Sequence, residues 1–486
     1  MPRVSREGAL SDSRRTVFSE EAMADNANVL NPIVGMSMDN LRDVGMSVIK
    51  QAAFRPLAGV QQIVSFLAEN AKIAVGTSEL SPTPRDRRFA DAAFLESPYY
   101  RRLSQSWLAL ERGLHAWVEA AEFAEQDRER ALFLAQLIAD AAAPTNYLFG
   151  NPSAMKRARQ TRGKSLVRGV RHLVQDVVEN GGMPTQVDRE PFKVGENLAT
   201  TPGAVVLEHP LAELIQYSPS TDRVRSRPVL IAPPQINKYY VYDLSPEKSL
   251  IKFLVDEGFQ VYVMSWRNPT AEDRDWGLAE YIDAVEASIN AVCAISHQKS
   301  IDVVGACAGG ITMTAALAYL AGLDRSEKVS SLSLMVNVLE PKAKDTDIGL
   351  FLNDDVIEAA RKKSSKAGVL DGKDTARVFS WMRPNDLIWN YVANNYLHGE
   401  KPPAFDLLYW NADSTRLPAR LHSDFLNIFK DSPFRNAGVM RIRDVPLDLR
   451  KVRCPAYITG GTTDHITPWQ GCYRSTQLLP GKTTFV

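Results

Sequence analysis

The sequence predicts an α/β catalytic domain that follows a mainly helical N-terminal domain. Before about Thr201, apolar residues recur every three or four positions, as in the segment from Tyr99 to Ala124, and this spacing marks one face of a helix. After Thr201, short apolar runs such as Val229 to Ala232 and Val261 to Met264 alternate with helical segments. Strands that alternate with helices indicate a mostly parallel sheet with helices on both faces.

The N-terminal half divides into a polar tail over residues 1–27 and a helical domain over residues 28–200. Its first 22 residues have mixed charge and lack the apolar segment of a secretory signal. We expect the tail to be disordered, and the alternative is that the residues before Met23 reflect the choice of start site. The apolar stripes of the helical domain are typical of core packing, and the alternative is an amphipathic surface that docks on a lipid-like phase or a partner. One stripe comprises Leu41, Val44 and Val48, and another comprises Val60, Ile63, Val64 and Leu67.

Composition restricts the function classes. The 486 residues carry 57 Lys and Arg against 57 Asp and Glu, so we expect no nucleic-acid partner. No uncharged apolar run reaches about 18 residues, so we expect no transmembrane helix. Four cysteines fit neither a disulfide scaffold nor a zinc site, and we expect a reduced, cytoplasmic protein without a metal. They are Cys293, Cys307, Cys454 and Cys472.

A glycine-rich turn, Gly305-Ala306-Cys307-Ala308-Gly309, separates the apolar run from Ile301 to Val304 from a helical segment. Strand, tight turn and helix form the context of a nucleophile elbow, in which the nucleophile lies between two small residues. The pattern predicts Cys307 as the nucleophile of an α/β-hydrolase-like domain, since the following helix N-terminus favours a thiolate. The alternative is an inert, buried cysteine in a glycine-rich turn.

The acid of such a domain should follow a late strand, because the triad order is nucleophile, acid, histidine. Asp464 satisfies this order after the run from Val452 to Thr459, and its alternative role is that of a turn aspartate. The helical, aromatic-rich segment over about 340–443 is then a cap inserted into a catalytic domain that spans 201–486.

The oxyanion hole requires two backbone N–H groups. One should come from Ala308, directly after the nucleophile, and the other from the loop after the first buried strand. In that loop the two prolines have no N–H, which leaves Gln235, Ile236 and Asn237 as donors. Ile236 is the donor that we predict.

The catalytic histidine is expected after the strand at 483–486, where the sequence stops, so we expect the C-terminal end of the domain to be missing. His465 is the remaining candidate, but it adjoins the acid, and neighbouring residues of an extended loop point apart. Other histidines precede the acid and fit the order badly, so we expect surface or structural roles for His209, His297, His398 and His422.

Several long motifs together resemble class II polyhydroxyalkanoate synthases, the polymerases of medium-chain 3-hydroxyacyl-CoA. The likeness covers nearly everything from Met23 on. The motifs are Gly305-Ala306-Cys307-Ala308-Gly309-Gly310, Pro234-Gln235-Ile236-Asn237-Lys238-Tyr239-Tyr240, Ser265-Trp266-Arg267-Asn268-Pro269, Trp381-Met382-Arg383-Pro384-Asn385-Asp386 and Gly461-Thr462-Thr463-Asp464-His465-Ile466.

The resemblance implies a helical N-terminal domain, a capped α/β-hydrolase-like domain, a homodimer and residence on polyester granules in the cytoplasm. It implies Cys307 as nucleophile and Asp464 as acid, and it places the catalytic histidine in a Gly-His-Ile motif shortly after the equivalent of Val486. The implied substrates are 3-hydroxyacyl-CoA and the growing polyester, with granule-associated proteins as further partners and no metal or redox cofactor.

The chemistry of a cysteine at the elbow agrees with thioester-to-ester transfer. A thiolate that attacks an acyl-CoA forms another thioester, so the bound acyl group stays activated for attack by the next hydroxyl. Two alternatives remain open: a cysteine-dependent esterase or depolymerase, and a non-catalytic granule scaffold.

Overall fold

The computed structural model describes residues 56–121, 123, 125–342, 349 and 354–486. The predicted tail and the stripe of Leu41, Val44 and Val48 lie outside these residues. The first part of the described chain is helical, as predicted. Its helices are α1 (Pro56–Val75), α2 (Ala93–Glu96), α3 (Pro98–Ala120), α4 (Glu125–Ala141), α5 (Pro152–Gln160) and α6 (Lys164–Glu179).

An aromatic cluster forms a core for the helical part. Phe89, Phe94 and Trp107 are buried against one another, and the Trp107 indole N–H donates a hydrogen bond of 2.7 Å to the carbonyl of Ala139. Because an indole N–H needs a partner when it is buried, this bond fixes α3 against α4.

One predicted core stripe faces outward instead. Ile63, Val64 and Leu67 on α1 are between 57% and 59% exposed in the described part of the chain, so the prediction that this stripe packs in a core is wrong. Helix α6 also turns apolar side chains outward, because it buries Ser165 and Gly169 and exposes its valines. The outward amphipathic surface, which was the alternative, fits these residues.

The catalytic part is built on an eight-stranded sheet with the order β1-β2-β4-β3-β5-β6-β7-β8. Strands β1 and β2 form an antiparallel hairpin, β2 pairs antiparallel with β4, and the other pairs are parallel. The strands are β1 (Gly203–His209), β2 (Ala212–Tyr217), β3 (Val229–Ala232), β4 (Val261–Trp266), β5 (Ile301–Ala306), β6 (Val329–Met335), β7 (Ala456–Thr459) and β8 (Thr483–Phe485).

Helices cover both faces of the sheet. Since successive strand residues point to opposite faces, neighbouring residues of one strand contact different helices. Leu230 of β3 packs in a cluster with helices α8 (Leu278–Ser296) and α9 (Cys307–Gly322). The next residue, Ile231, packs on the other face with α7 (Leu250–Asp256). Both side chains are fully buried, which is why β3 reads as a continuous apolar run.

The segment between β6 and β7 is mainly helical. It contains α10 (Asp354–Ala367), α11 (Gly372–Met382), α12 (Asp406–Ala412) and α13 (Ala419–Asp431), with π-helical turns at Asn385–Trp389 and Val392–Leu397; α14 (Trp469–Ser475) follows β7. Two-residue strands pair Val369–Leu370 with Leu417–Pro418 and Arg441–Ile442 with Val445–Pro446. The α/β architecture with a helical insertion agrees with the prediction, whereas the domain boundaries stay predictions.

The sequence-based assignment missed the hairpin of β1 and β2. Its strands are not continuous apolar runs, since Ala204, Glu208 and Glu213 point to solvent. None of the described helices is both long enough and apolar enough to cross a bilayer.

Candidate active site

Cys307 lies at a strained turn between β5 and α9. Its φ of +47° is in the left-handed region, whereas Ala306 before it is extended, with φ −118°. A side chain longer than hydrogen costs free energy in this conformation. The turn therefore has the geometry of a nucleophile elbow, and it places the thiol beyond the carboxyl end of β5, while the role of Cys307 as nucleophile stays a prediction.

Two glycines of the motif are required by close approach. A Cβ on Gly305 would lie 2.6 Å from the Gly310 Cα, and a Cβ on Gly309 would lie 2.3 Å from the Pro233 carbonyl oxygen. Contacts this short are incompatible with any side chain. The glycines thus allow the elbow to close on itself and on the loop after β3.

Cys307 is only partly buried as a residue, but its thiol is closely surrounded by protein. Burial raises its pKa to about 11; the Ala308 N–H opposes that increase through a hydrogen bond, and the negative charge of Asp464 adds to it. The elbow and the acid predicted from the sequence are thus close enough to interact. The Ala308 N–H points to the sulfur side, as an oxyanion donor at this position should.

Asp464 is fixed by its own loop. Its Oδ1 accepts the N–H groups of Ile466 and Thr467 at 2.8 and 2.9 Å, and its Oδ2 accepts the Thr467 hydroxyl at 2.9 Å. This is the bonding of a turn aspartate, so the alternative role is present together with the electrostatic effect on Cys307. Three hydrogen bonds hold the carboxylate as a preorganised anion beside the thiol.

The predicted oxyanion loop packs on the elbow helix. The Gln235 side chain is buried, and its Nε2 donates to the Thr312 hydroxyl at 2.8 Å. Thr312 in turn donates to the Ala308 carbonyl at 3.2 Å. This contact brings the loop that contains Ile236 next to the turn that contains Ala308, while the assignment of both as oxyanion donors stays a prediction.

The insertion holds the same loop from the other side. Thr415 donates its N–H to the Ile236 carbonyl at 2.9 Å, and the Trp410 indole donates to the Lys238 carbonyl at 2.7 Å. Asp413 accepts the Tyr240 hydroxyl at 2.8 Å and lies 3.1 Å from the Lys238 ammonium. The loop is thus positioned by the elbow helix and by residues 410–415 together.

Most histidines are engaged away from the elbow. His398 lies 3.2 Å from the Ser153 hydroxyl, His422 lies 2.9 Å from the Ser364 hydroxyl, and His209 Nδ1 accepts the Leu211 N–H. His297 caps the C-terminus of α8. It therefore precedes the start of β5, whereas Cys307 follows the end of that strand. These contacts support the structural roles expected from the sequence, and His465 remains the histidine next to Asp464.

The site also includes three residues that the sequence did not predict there, namely Asn337, Ser475 and Cys472. The Asn337 side-chain amide donates to the Cys307 carbonyl at 2.7 Å, and burial raises the pKa of the Cys472 thiol to about 11, with Asp464 and Cys307 also acting on it. The available signal was the position of Asn337 directly after a buried strand at the active edge. In the described ranges, no group of three or more His, Cys, Asp or Glu side chains could hold a metal ion.

Comparison with known proteins identifies the family. Residues 85–254 match the family described as the N-terminus of poly-beta-hydroxybutyrate polymerase (PhaC), and residues 228–486 match the alpha/beta hydrolase fold. Poly(3-hydroxyalkanoate) polymerase 1 of Ectopseudomonas oleovorans is 46% identical over 463 residues, which are 95% of this chain and 82% of that protein. The chain belongs to the poly(3-hydroxyalkanoate) polymerase family.

Other polymerases of this family show the same relationship. Poly(3-hydroxyalkanoate) polymerase 2 of E. oleovorans is 44% identical over 95% of this chain and 82% of its own length. The PhaC polymerase subunit of Cupriavidus necator is 37% identical over 88% of this chain and 74% of its own length. The resemblance inferred from the motifs is therefore confirmed, and the fold is that of an α/β-hydrolase.

Proposed function

We propose that this protein is an acyltransferase that polymerises (R)-3-hydroxyacyl-CoA into polyhydroxyalkanoate through a covalent thioester on Cys307. The observation that supports this most directly is a cysteine, rather than a serine, at a nucleophile elbow with φ +47° in a chain of the polymerase family. A cysteine thioester keeps the acyl group activated for transfer to a hydroxyl.

The first half-reaction exchanges one thioester for another. The Cys307 thiolate attacks the acyl-CoA carbonyl, the tetrahedral oxyanion forms, and the carbon–sulfur bond to CoA breaks. The CoA thiolate leaves and takes up the proton that the Cys307 thiol has lost. The N–H groups of Ala308 and Ile236 are the proposed donors to the oxyanion.

The second half-reaction extends the polymer. The 3-hydroxyl at the end of the polyester loses its proton to a base, its oxygen attacks the Cys307 thioester, and the Cys307 thiolate leaves. In the proposed mechanism Asp464 either orients a histidine base or assists removal of the hydroxyl proton. No metal or redox group takes part in either step.

The remaining features of the proposal follow from the family resemblance. We propose medium-chain 3-hydroxyacyl groups as substrates, a homodimer as the assembly, and the surface of cytoplasmic polyester granules as the location. The outward apolar residues of α1 and α6 support contact with an apolar phase.

The test is incubation of the protein and its Cys307→Ser variant with 3-hydroxydecanoyl-CoA. We expect the parent to release CoA and to carry an acyl group on Cys307 by mass spectrometry, and we expect polymer when the Gly-His-Ile motif that the resemblance implies is present in the chain. The variant should form none while its circular dichroism is retained. Release of free 3-hydroxy acid in place of polymer would favour the esterase alternative. Acylation absent from the parent would favour the scaffold alternative.

A further inference from the structure

We propose that Asn337 is a positioning residue that fixes the main chain of Cys307 relative to the loop that contains Asp464. The inference rests on the proposed function, in which Cys307 is the nucleophile and Asp464 its acid. Asn337 follows β6 at the same edge of the sheet as Cys307. Three sets of contacts connect it to the site.

The first contact is to the nucleophile itself. The Asn337 Nδ2 donates to the Cys307 carbonyl at 2.7 Å, and its side chain is fully buried. A Cβ on Gly310 would lie 2.7 Å from this nitrogen, so the amide fits only because residue 310 is glycine. The bond therefore restrains the peptide group that follows the strained φ of Cys307.

The second set of contacts ties Asn337 to α14. The Ser475 hydroxyl accepts the Leu339 N–H at 3.0 Å, and it shares its one proton between the Asn337 and Gly471 carbonyls, each 3.3 Å away. The Asn337 N–H faces the Cys472 sulfur and opposes the rise that burial causes in the pKa of that thiol. Ser475 and Cys472 are both fully buried, so water does not compete for these bonds.

The third set of contacts reaches the acid. The Cys472 thiol donates to the Thr467 carbonyl at 3.4 Å, and Thr467 donates its N–H and its hydroxyl to the two oxygens of Asp464. Hydrogen bonds thus link the Cys307 carbonyl to Ser475 of α14 through Asn337, and Cys472 of the same helix links α14 to the Asp464 loop through Thr467. These links predict coupling between Cys307 and Asp464, which an experiment must demonstrate.

Packing alone does not account for an amide at this position. The Asn337 Oδ1 is buried and has no hydrogen-bond partner among the residues that the structure describes. A buried oxygen without a partner is unfavourable, and a leucine of similar size would fill the space without it. The donation to Cys307 is the contact that requires the amide.

The experiment measures the effect of Asp464 on Cys307 with and without the amide. The pKa of Cys307 is obtained from the pH dependence of alkylation by iodoacetamide, followed at that residue by mass spectrometry, in the parent, D464N, N337L and the double variant. We expect D464N to lower the pKa of Cys307 in the parent. In the N337L background we expect less than roughly half of that shift.

A second measurement separates positioning from general stability. At neutral pH the carboxylate of N337D cannot donate to the Cys307 carbonyl, whereas its protonated form can. We expect acylation by 3-hydroxydecanoyl-CoA to fall by about 10- to 100-fold in N337D and N337L. The ratio of N337D to parent rates should rise as the pH falls from about 8 to 5, and the N337L ratio should stay flat.

Thr314→Val is the matched control, because Thr314 is a buried residue of α9 whose hydroxyl has no hydrogen-bond partner in the described chain. In this control, D464N should shift the pKa of Cys307 by as much as it does in the parent.

If circular dichroism shows that N337L does not fold, N337D, which has almost the same shape as the parent side chain, replaces it in the same cycle. An equal D464N shift with and without the amide would overturn the positioning role. A D464N shift missing from the parent as well would remove Asp464 from the proposed function and this inference with it.

Discussion

The Asp464 carboxylate acts on the Cys307 thiol through its negative charge. Burial accounts for most of the rise in the thiol pKa to about 11, and the charge of Asp464 adds to it. A thiol with this pKa is almost entirely protonated at neutral pH. The same carboxylate would stabilise a protonated base beside it. The arrangement therefore favours a thiol that passes its proton to a neighbouring base over a thiol that is already ionised.

Asp464→Asn should therefore separate thiol reactivity from catalysis. Removing the negative charge makes the thiolate less unfavourable, so the pKa of Cys307 should fall and its alkylation at pH 8.5 should become faster. Acyl transfer to a hydroxyl should become slower by about 10²- to 10⁴-fold, because it requires removal of a proton. Alkylation rates and CoA release measure the two effects. A slower alkylation in the variant would contradict the electrostatic relationship.

The strained turn predicts an unusual order of stability at position 307. Cys307→Gly should be more stable than Cys307→Ala by about 1 kcal/mol, because glycine adopts a φ of +47° without steric cost. At ordinary helix positions the order is reversed. Chemical denaturation of both variants measures the difference, and an alanine variant at least as stable as the glycine variant would show that the turn is not strained.

The elements next to the site could be predicted from the sequence because their signals are local. The run Ile301 to Val304, the small residues around Cys307 and the apolar segment after them specify strand, turn and helix within about 20 residues. Asp464 could be placed because chain order alone restricts the acid to a late strand. The hairpin of β1 and β2 was missed because its strands have solvent-exposed residues and lack an apolar run.

The contacts that complete the site join distant parts of the chain, so no local pattern reveals them. Asn337 and Cys307 are 30 positions apart, and Ser475 and Asn337 are 138 apart. The prediction that the apolar residues of α1 pack in a core was wrong for a different reason. Helical spacing identifies an apolar face but not what covers it, and Ile63 and Leu67 face outward in the described chain.

Gly309→Ala should damage the site through the oxyanion loop. Its new methyl group would lie 2.3 Å from the Pro233 carbonyl oxygen and 2.5 Å from that of Ala232, and both are main-chain atoms that cannot rotate away. The loop with Ile236 must shift, so we expect slower acylation of Cys307 and a loss of about 1–3 kcal/mol in the free energy of unfolding.

Gly113→Ala is the control for this prediction. Gly113 lies within α3, and a Cβ there would meet only the Phe66 ring at 3.7 Å, an ordinary contact distance. This variant should gain about 0.5–1 kcal/mol of stability from helix propensity and acylate at the parent rate. Equal behaviour of the two variants would remove the packing argument for Gly309.

His422 should make the stability of the insertion depend on pH. Burial, and then the charge of Arg361, lower its pKa from 6.5 to about 4 in the folded protein. Between these values the unfolded chain binds more protons than the folded one, so stability should be lost as the pH falls from about 6.5 to 4, by up to about 3 kcal/mol. Urea denaturation of the parent and His422→Gln at pH 7 and pH 5 measures this contribution, which the variant should lack. An identical pH dependence in both proteins would contradict it.

Asp413→Ala should show that residues 410–415 position the oxyanion loop. The substitution removes the acceptor of the Tyr240 hydroxyl, and because Tyr240 is fully buried, the loss should cost about 1–3 kcal/mol. The loop between Gln235 and Tyr240 would also lose its ion pair at Lys238. We expect a lower kcat for CoA release as well as lower stability, because the Ile236 N–H, the proposed oxyanion donor, would no longer be held in place.

Asp406→Ala is the matched comparison at the start of α12, the helix that ends directly before Asp413, since Asp406 pairs with Lys248 and not with the oxyanion loop. It should lower stability while kcat changes by less than about threefold. Tyr240→Phe combined with Asp413→Ala should recover part of the stability lost in Asp413→Ala, because no buried hydroxyl is then left without an acceptor. Since that double variant still lacks the contacts of Asp413 with Tyr240 and Lys238, its kcat should stay low. A kcat that recovers together with stability would mean that Asp413 acts only through folding, and the positioning of the loop by residues 410–415 would have to be abandoned.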